Sequence, residues 1–478
     1  MLIGRKTERE ELERVINSGK AELVAVYGRR HVGKTYFINE MSRDHVIFRH
    51  TGLSPYDNTR RVTLKEQLQN FHFSLLRYGM ENVPQPKSWP EAFQLLQKLI
   101  EQKDNGTRQV VFIDELPWMD TARSGFLTAL EDFWNKWGCL RNELCLIVNG
   151  SAASWMVDNL IYNKGRLTGR VTSEIHLTPL TLGECEEFFQ SRGMNLPRQE
   201  IIQAYMITGG IPYYMNCLNP KLSLSQNIDL LFFDSKAKLS EEYDRLFNSV
   251  FDNAEACMKI VNILSKRHSG FTREEIARQI GCSPNGDFTK NLKALIACDL
   301  ICKYLPIGYG KREEHYRLVD AFCRFWLHFK ENKRVTHTDY WQHHIQEQEI
   351  SVWRSIAFEE MCLRHALQIK QSLQIAGVAS VEAAYVSRGE DGGSVGMQID
   401  LVINRQDDVV NICEMKFSKA PLTVSNAYAQ TVELRREALE MLFPRKTVHA
   451  TLVTTLPMNR NSHSTVFQTV VTLDDLFV

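Results

Sequence analysis

The sequence predicts an α/β protein. A doubly wound parallel sheet leads, followed by a helical lid, a winged helix-turn-helix and a second, C-terminal α/β unit. Three observations carry this. The apolar run Leu23-Val24-Ala25-Val26-Tyr27 passes directly into Gly28-Arg29-Arg30-His31-Val32-Gly33-Lys34-Thr35 and then into the helical run Tyr36 to Met41. Two further short apolar runs, Gln109 to Ile113 and Leu144 to Val148, each end in polar residues. Runs buried on both faces, with polar C-terminal ends at one edge, are the signature of central parallel strands. Beyond residue 345, strand, turn, strand, helix and strand patterns recur in that order.

The first run and its sequel form a complete G-x-x-x-x-G-K-T phosphate loop between a strand and a helix N-terminus. Backbone N–H groups and the helix dipole there point at an anion. Gly28 and Gly33 let the backbone turn tightly and approach phosphates. Lys34 is placed to reach the β- and γ-phosphates, and the Thr35 hydroxyl to ligate Mg²⁺. A nucleoside triphosphate with Mg²⁺ is therefore the expected ligand, held by Gly28, Arg29, Arg30, His31, Val32, Gly33, Lys34 and Thr35.

The second strand ends in Asp114-Glu115. Asp114 would hold Mg²⁺ through water, and Glu115 would orient or deprotonate the attacking water. Leu116-Pro117-Trp118 follows, so the acids are expected on a turn rather than a helix. The third strand ends in Asn149-Gly150-Ser151, where an uncharged side chain could contact the γ-phosphate or the lytic water. Asn149 and Ser151 are both candidates, with a plain strand-end turn as the alternative.

At 478 residues the chain has room for several domains, read as 1–178 (sheet core), 179–250 (helical lid), 251–344 (winged helix and connector) and 345–478. Lysine plus arginine balances aspartate plus glutamate at 57 each, which excludes a generic nucleic-acid or membrane-surface field and makes any DNA-binding surface local. No run is long enough to span a membrane, and Arg5-Lys6-Thr7-Glu8-Arg9-Glu10 is no signal peptide. Eleven scattered cysteines without a C-x-x-C pair point to a reducing cytoplasm.

Residues 180 to 250 read as helical, interrupted by Thr208-Gly209-Gly210-Ile211-Pro212. Next come helices at Cys257–Leu264, at Phe271–Ala277 with capping-box spacing from Thr272 to Glu275, and at Asp287–Leu300. A β-wing follows over Ile301–Leu318. Residues 255 to 318 hold eleven basic against seven acidic side chains, including Lys290, Lys293, Lys311 and Arg312. So small an excess suits DNA contact and a protein adaptor equally.

In the C-terminal unit, Glu359 lies on a helical pattern, Asp400 in the strand Met397–Ile403, and Glu414 and Lys416 on one face of the strand Val409–Phe417. Carboxylates so placed bind Mg²⁺ or Mn²⁺, and the lysine helps position the water the metal activates. This D…E-x-K spacing is the pattern of the PD-(D/E)xK nuclease superfamily, with its restriction-endonuclease-like fold. Glu359 stands as the helical acid. Salt-bridged surface strands are the plainer reading of the same residues.

Taken together, the chain resembles the archaeal-type P-loop ATPases, a branch near the STAND and AAA+-like origin-recognition ATPases, carrying the C-terminal nuclease-like domain DUF234. Ile3-Gly4-Arg5 resembles the family's opening motif, which implies packing near the nucleotide base. Gly150-Ser151 and Gly169-Arg170, ahead of Ile175 to Leu180, resemble its post-sensor signature, and Gly210-Ile211-Pro212 its lid element, which implies that Pro212 touches nucleotide. The segment Tyr316 to Trp326 resembles the one that closes the winged helix. The chain departs from the common pattern at His31, at Ala321 and at Ser355. The resemblance implies an ATP-hydrolysing switch with Arg166 or, in better accord with the motif, Arg170 as arginine finger. It implies ATP and Mg²⁺ as cofactors, with a second Mg²⁺ or Mn²⁺ at Asp400 and Glu414. DNA, a second copy of the chain and a regulatory protein are the partner classes it leaves open.

Overall fold

Central strands are buried on both faces, so apolar runs fix where the first sheet lies. A computed structural model describes residues 2–54, 56, 57, 60–161, 169–310, 313–331, 339–388 and 395–478. They divide into two compact units. One comprises Met1–Pro179 with Asp244–Ala254 and Lys290–Asp299; the other comprises Leu180–Tyr243, Glu255–Thr289 and Leu300–Val478.

In the first unit, β1 (Glu22–Tyr27), β2 (Val46–Thr51), β3 (Gln109–Asp114), β4 (Leu144–Gly150) and β5 (Ser173–His176) form one sheet in the order β2-β3-β4-β1-β5. All pairings are parallel. Every residue of β3 and β4 is buried, as continuous apolar runs require, whereas β2 at the edge is half-exposed. Register does the functional work. Tyr27 pairs with Gly150 and with His176, and Thr51 pairs with Asp114, so the strand ends meet along one edge. Helices α1 (Lys6–Ile16) and α2 (Lys34–Ser42) flank β1 in sequence.

The amphipathic stretch after β2 resolves into two helices, α3 (Leu64–Arg77) and α4 (Trp89–Gln102). Thr63 and Glu66 form a capping box at the start of α3, and Ser88 caps α4 with Pro90 in its first turn. With α5 (Phe126–Lys136) they bury an aromatic core against the sheet, in which Trp89 meets Phe126 edge-on at 4.8 Å. Asp114 ends β3 and Glu115 lies on the bend after it, while Leu116-Pro117-Trp118, expected to stop a helix, opens the single helical turn Leu116–Met119. Pro117 sits at its start, where a missing N–H costs nothing.

The second unit begins with α6 (Leu182–Ser191), opened by a Thr181–Glu184 capping box, and α7 (Arg198–Thr208). Gly209 ends α7 in the left-handed region. Further along the chain come α8 (Ala254–Ser265), α9 (Arg273–Gln279) and α10 (Gly286–Ala297), of which α10 belongs to the first unit from Lys290 onward; α10 ends three residues before the predicted Leu300. The Thr272–Glu275 capping box is present. Strands β6 (Phe271–Thr272), β7 (Ile301–Tyr304) and β8 (His315–Leu318) make a small antiparallel sheet in the order β6-β8-β7. Lys311 and Arg312 lie outside the described residues.

After α11 (Ala321–Trp326) and α12 (Gln348–Arg364), a mixed five-stranded sheet follows. Its strands are β9 (Ser380–Arg388), β10 (Val395–Arg405), β11 (Val409–Lys416), β12 (Thr447–Thr454) and β13 (Thr469–Thr472), in that order. The first three are antiparallel, and β11, β12 and β13 are parallel. The long helix α13 (Asn426–Leu442) supplies the crossover between β11 and β12, as a parallel pairing demands. Helix α12 packs on β10 and β11. No helix among the described residues is long and apolar enough to cross a membrane.

Candidate functional site

The loop Gly28–Thr35 connects β1 to α2 at the sheet's C-terminal edge. Three left-handed residues shape it: Gly28 at φ 143°, His31 at 71° and Gly33 at 97°. A side chain on Gly28 would begin 2.3 Å from the Leu177 carbonyl oxygen. Both the backbone angle and the close approach therefore require glycine. Gly28→Ala is expected to cost roughly 2–4 kcal/mol through strain and overlap, read as a lower denaturant midpoint in equilibrium unfolding. An unchanged midpoint would contradict the close approach.

Lys34 is buried, and its Nζ donates to the carbonyls of Gly28 at 2.9 Å and Arg29 at 3.1 Å, so the loop closes around its own ammonium. Burial pushes the Lys34 pKa down, while Glu115, Cys298 and Asp114 pull it back up. The Thr35 hydroxyl donates to Asp114, 3.1 and 3.2 Å from the two carboxylate oxygens. Asp114 is pushed above the usual carboxylate range by burial and then by Glu115; the Thr35 hydroxyl and Arg49, 3.6 Å away, oppose this.

Glu115 adopts a left-handed φ of 50° at the start of the helical turn. Its N–H donates to Asn149 Oδ1 at 2.9 Å, and its carboxylate receives the Ser151 N–H at 3.0 Å and the Ser151 hydroxyl at 2.8 Å. Both sensor candidates thus hold Glu115, one through its backbone and one through its carboxylate. Arg5 donates to the Val32 carbonyl at 2.7 Å and the Thr178 carbonyl at 2.9 Å, which ties Ile3-Gly4-Arg5 to the phosphate loop. Tyr27 stacks on His176 at 4.9 Å, and His176 pairs with Asp299 at 3.0 Å, which raises the imidazole pKa.

The remaining sequence candidates lie elsewhere. Arg29 is buried, whereas Arg170 is exposed on the turn before β5; Arg166 lies outside the described residues. Pro212 opens a short helix in the second unit. There Gly210, at φ 69°, approaches so closely that a Cβ would lie 2.3 Å from the Leu180 carbonyl oxygen. Arg49, from a strand the sequence reading did not single out, stands against Asp114. Its only signal was the short apolar run Val46-Ile47-Phe48 before it.

A second cluster occupies the C-terminal part of the second unit. Glu359, His268 and Asp400 offer ligand atoms within 4.8 Å of one another. Burial and then Asp400 push Glu359 up to about 8; Lys416 works against this and Glu414 adds to it, so the other three sequence candidates all act on Glu359. Glu414 itself is buried and receives Arg435 at 2.6 Å, while Asp400 accepts from Gln398 at 2.6 Å. The Lys416 ammonium sits 5.3 Å from the Tyr428 ring. The next residue after Glu359 has a different fate. Burial would raise Glu360, but Arg317 and Arg324 outweigh it and hold the carboxyl below its usual range. His268 was not foreseen, since a lone histidine in Lys266-Arg267-His268-Ser269-Gly270 carries no spacing signal.

Residues 2–218 match the family described as an ATPase domain predominantly from Archaea. The uncharacterized protein MJECL04 of Methanocaldococcus jannaschii is 24% identical over 334 residues, 69% of each chain. An uncharacterized ATP-binding protein of the same organism, MJ0423, is 47% identical over 49 residues, 10% of this chain and 83% of that one. Among solved structures, the Walker-type ATPase PABY2304 of Pyrococcus abyssi aligns with a TM-score of 0.49 at 16% identity, covering 68% of this chain and 96% of that one. The ORC2 protein of Aeropyrum pernix aligns with a TM-score of 0.40 at 14% identity, covering 76% and 95%.

Proposed function

We propose that the chain, whose residues 2–218 match the family described as an ATPase domain predominantly from Archaea, is an ATP-binding and ATP-hydrolysing switch coupled to a C-terminal DNA-binding or nuclease-like module. The observation that carries the proposal is the meeting of Thr35 and Asp114 at the strand edge, one residue from Lys34. The two side chains present only oxygen donors, the chemistry Mg²⁺ takes. Bound there with ATP, Mg²⁺ would offset charge on the β- and γ-phosphates.

The chain's own groups account for the rest. Lys34 leaves the Gly28 and Arg29 carbonyls for the phosphates. Glu115 leaves Ser151 and orients the attacking water, taking its proton as the γ-phosphoryl departs. Asn149 holds the Glu115 backbone in place for that task. In this reading Arg170 is the finger that meets γ-phosphate charge, in cis or from a neighbouring copy, and Pro212 marks the lid element that touches nucleotide. The lid then moves the winged helix-turn-helix of residues 251–344. Phosphate release from ATP by the purified chain, with Mg²⁺ and with EDTA, tests the proposal. Release in Mg²⁺ alone is expected; none above a buffer blank would contradict it.

The C-terminal carboxylates favour a second reading, an ATP-gated, metal-dependent DNA endonuclease in a restriction-endonuclease-like domain. Asp400 and Glu414 would hold Mg²⁺ or Mn²⁺, with Glu359 as helical acid and Lys416 positioning water. Lys290 and Lys293, both exposed on α10, supply cations for a DNA backbone. Supercoiled DNA incubated with Mn²⁺ and ATP should be nicked by the wild type and not by Asp400→Ala. Equal nicking by both would contradict this reading. Salt-sensitive DNA binding without nicking would instead mark the module as a docking platform for DNA.

A further inference from the structure

The turn between α8 and β6 places His268 against the C-terminal acids, and the geometry there is unusual. Nε2 lies 3.5 Å from Glu359 Oε2 and 3.8 Å from Asp400 Oδ1. Both imidazole nitrogens are sealed from solvent, and neither makes a hydrogen bond. A buried, unpartnered ring nitrogen is costly, and so are two carboxylates facing each other without a cation between them. Arg317 and Arg324 are turned to Glu360, at 3.8 and 3.3 Å, and Lys416 offsets Glu359 only in part.

We infer that His268, Glu359 and Asp400 together form a binding site for one divalent transition-metal ion. A cation among them would accept the imidazole lone pair and offset both carboxylates at once. The spacing suits it, since ligands about 2.1 Å from a tetrahedral ion sit roughly 3.4 Å apart. Three protein ligands leave further positions open for water or a phosphate oxygen. The imidazole decides the class of metal. Mg²⁺ and Ca²⁺ select oxygen, whereas a nitrogen ligand beside carboxylates suits Mn²⁺, Fe²⁺, Co²⁺ or Zn²⁺. The site also ties the turn before β6 to α12 and β10, three segments far apart in sequence. It differs from the Asp400–Glu414 pair of the nuclease reading and does not depend on DNA cleavage.

The test uses full-length, EDTA-stripped protein without nucleotide, titrated with Co²⁺ and followed by its visible absorption. One Co²⁺ per chain is expected to bind, resisting a large excess of Mg²⁺ and yielding to Zn²⁺. His268→Gln and Asp400→Asn should each weaken Co²⁺ binding by ~100-fold or more, while Thr35→Ala leaves it unchanged. Paramagnetically shifted imidazole proton signals in wild-type protein loaded with Co²⁺ report the histidine directly, even if a variant fails to fold. Wild-type affinity in His268→Gln, absence of shifted imidazole signals, or displacement by Mg²⁺ would each overturn the inference. Loss of ATP turnover with Co²⁺ binding intact would count only against the switch.

Discussion

Lys34→Ala is expected to weaken ATP binding by two to four orders of magnitude, about 3–5 kcal/mol. The ammonium is enclosed by the loop itself, donating to the Gly28 and Arg29 carbonyls. Alanine would remove the charge proposed to meet the β- and γ-phosphates and take the ammonium from the Gly28 and Arg29 carbonyls, of which Arg29 still accepts the Val32 N–H. The variant should therefore also unfold somewhat earlier in denaturant, yet adopt the same secondary structure. Titration calorimetry with ATP and Mg²⁺ reads the first effect, and circular dichroism checks the second. An affinity within threefold of wild type would show that the triphosphate does not sit on this loop.

Glu115→Gln should separate binding from chemistry. The glutamine is isosteric and can still accept the Ser151 hydroxyl, so the loop and ATP affinity should change little. A neutral amide cannot take a proton from water, however, and a lost general base typically costs 10²–10⁴-fold in rate. The expected result is a fall in kcat of that size at near-constant nucleotide affinity. Unchanged kcat would move the base elsewhere. The left-handed backbone at Glu115 adds a reason to expect specialised use, because strain of this kind tends to persist where surrounding structure enforces it.

How much of this was readable beforehand depends on distance along the chain. The phosphate loop, Asp114, Glu115 and Asn149 were legible because each follows a short apolar run, and parallel register then brings strand ends together. The helical turn after Asp114-Glu115 was not foreseen, since Pro117 breaks a helix interior but is welcome in a first turn. Strand β2 went unnoticed because Arg49, His50 and Thr51 break up its apolar run, as an edge strand permits. In the C-terminal sheet, the alternation around Glu414 and Lys416 revealed the strand but not the partner. Arg435 arrives from a helix 21 residues away and engages Glu414. His268 was least legible of all, contributed by a turn more than ninety positions before Glu359 with no periodic cue.

Retention of labelled ATP on the purified full-length chain in millimolar Mg²⁺ goes most directly to the central claim, that the Gly28–Thr35 loop cradles a triphosphate. One nucleotide per chain should be held, displaced by ADP and not by adenosine, because phosphate contacts carry the affinity. No retained label, or equal displacement by adenosine, would contradict the claim.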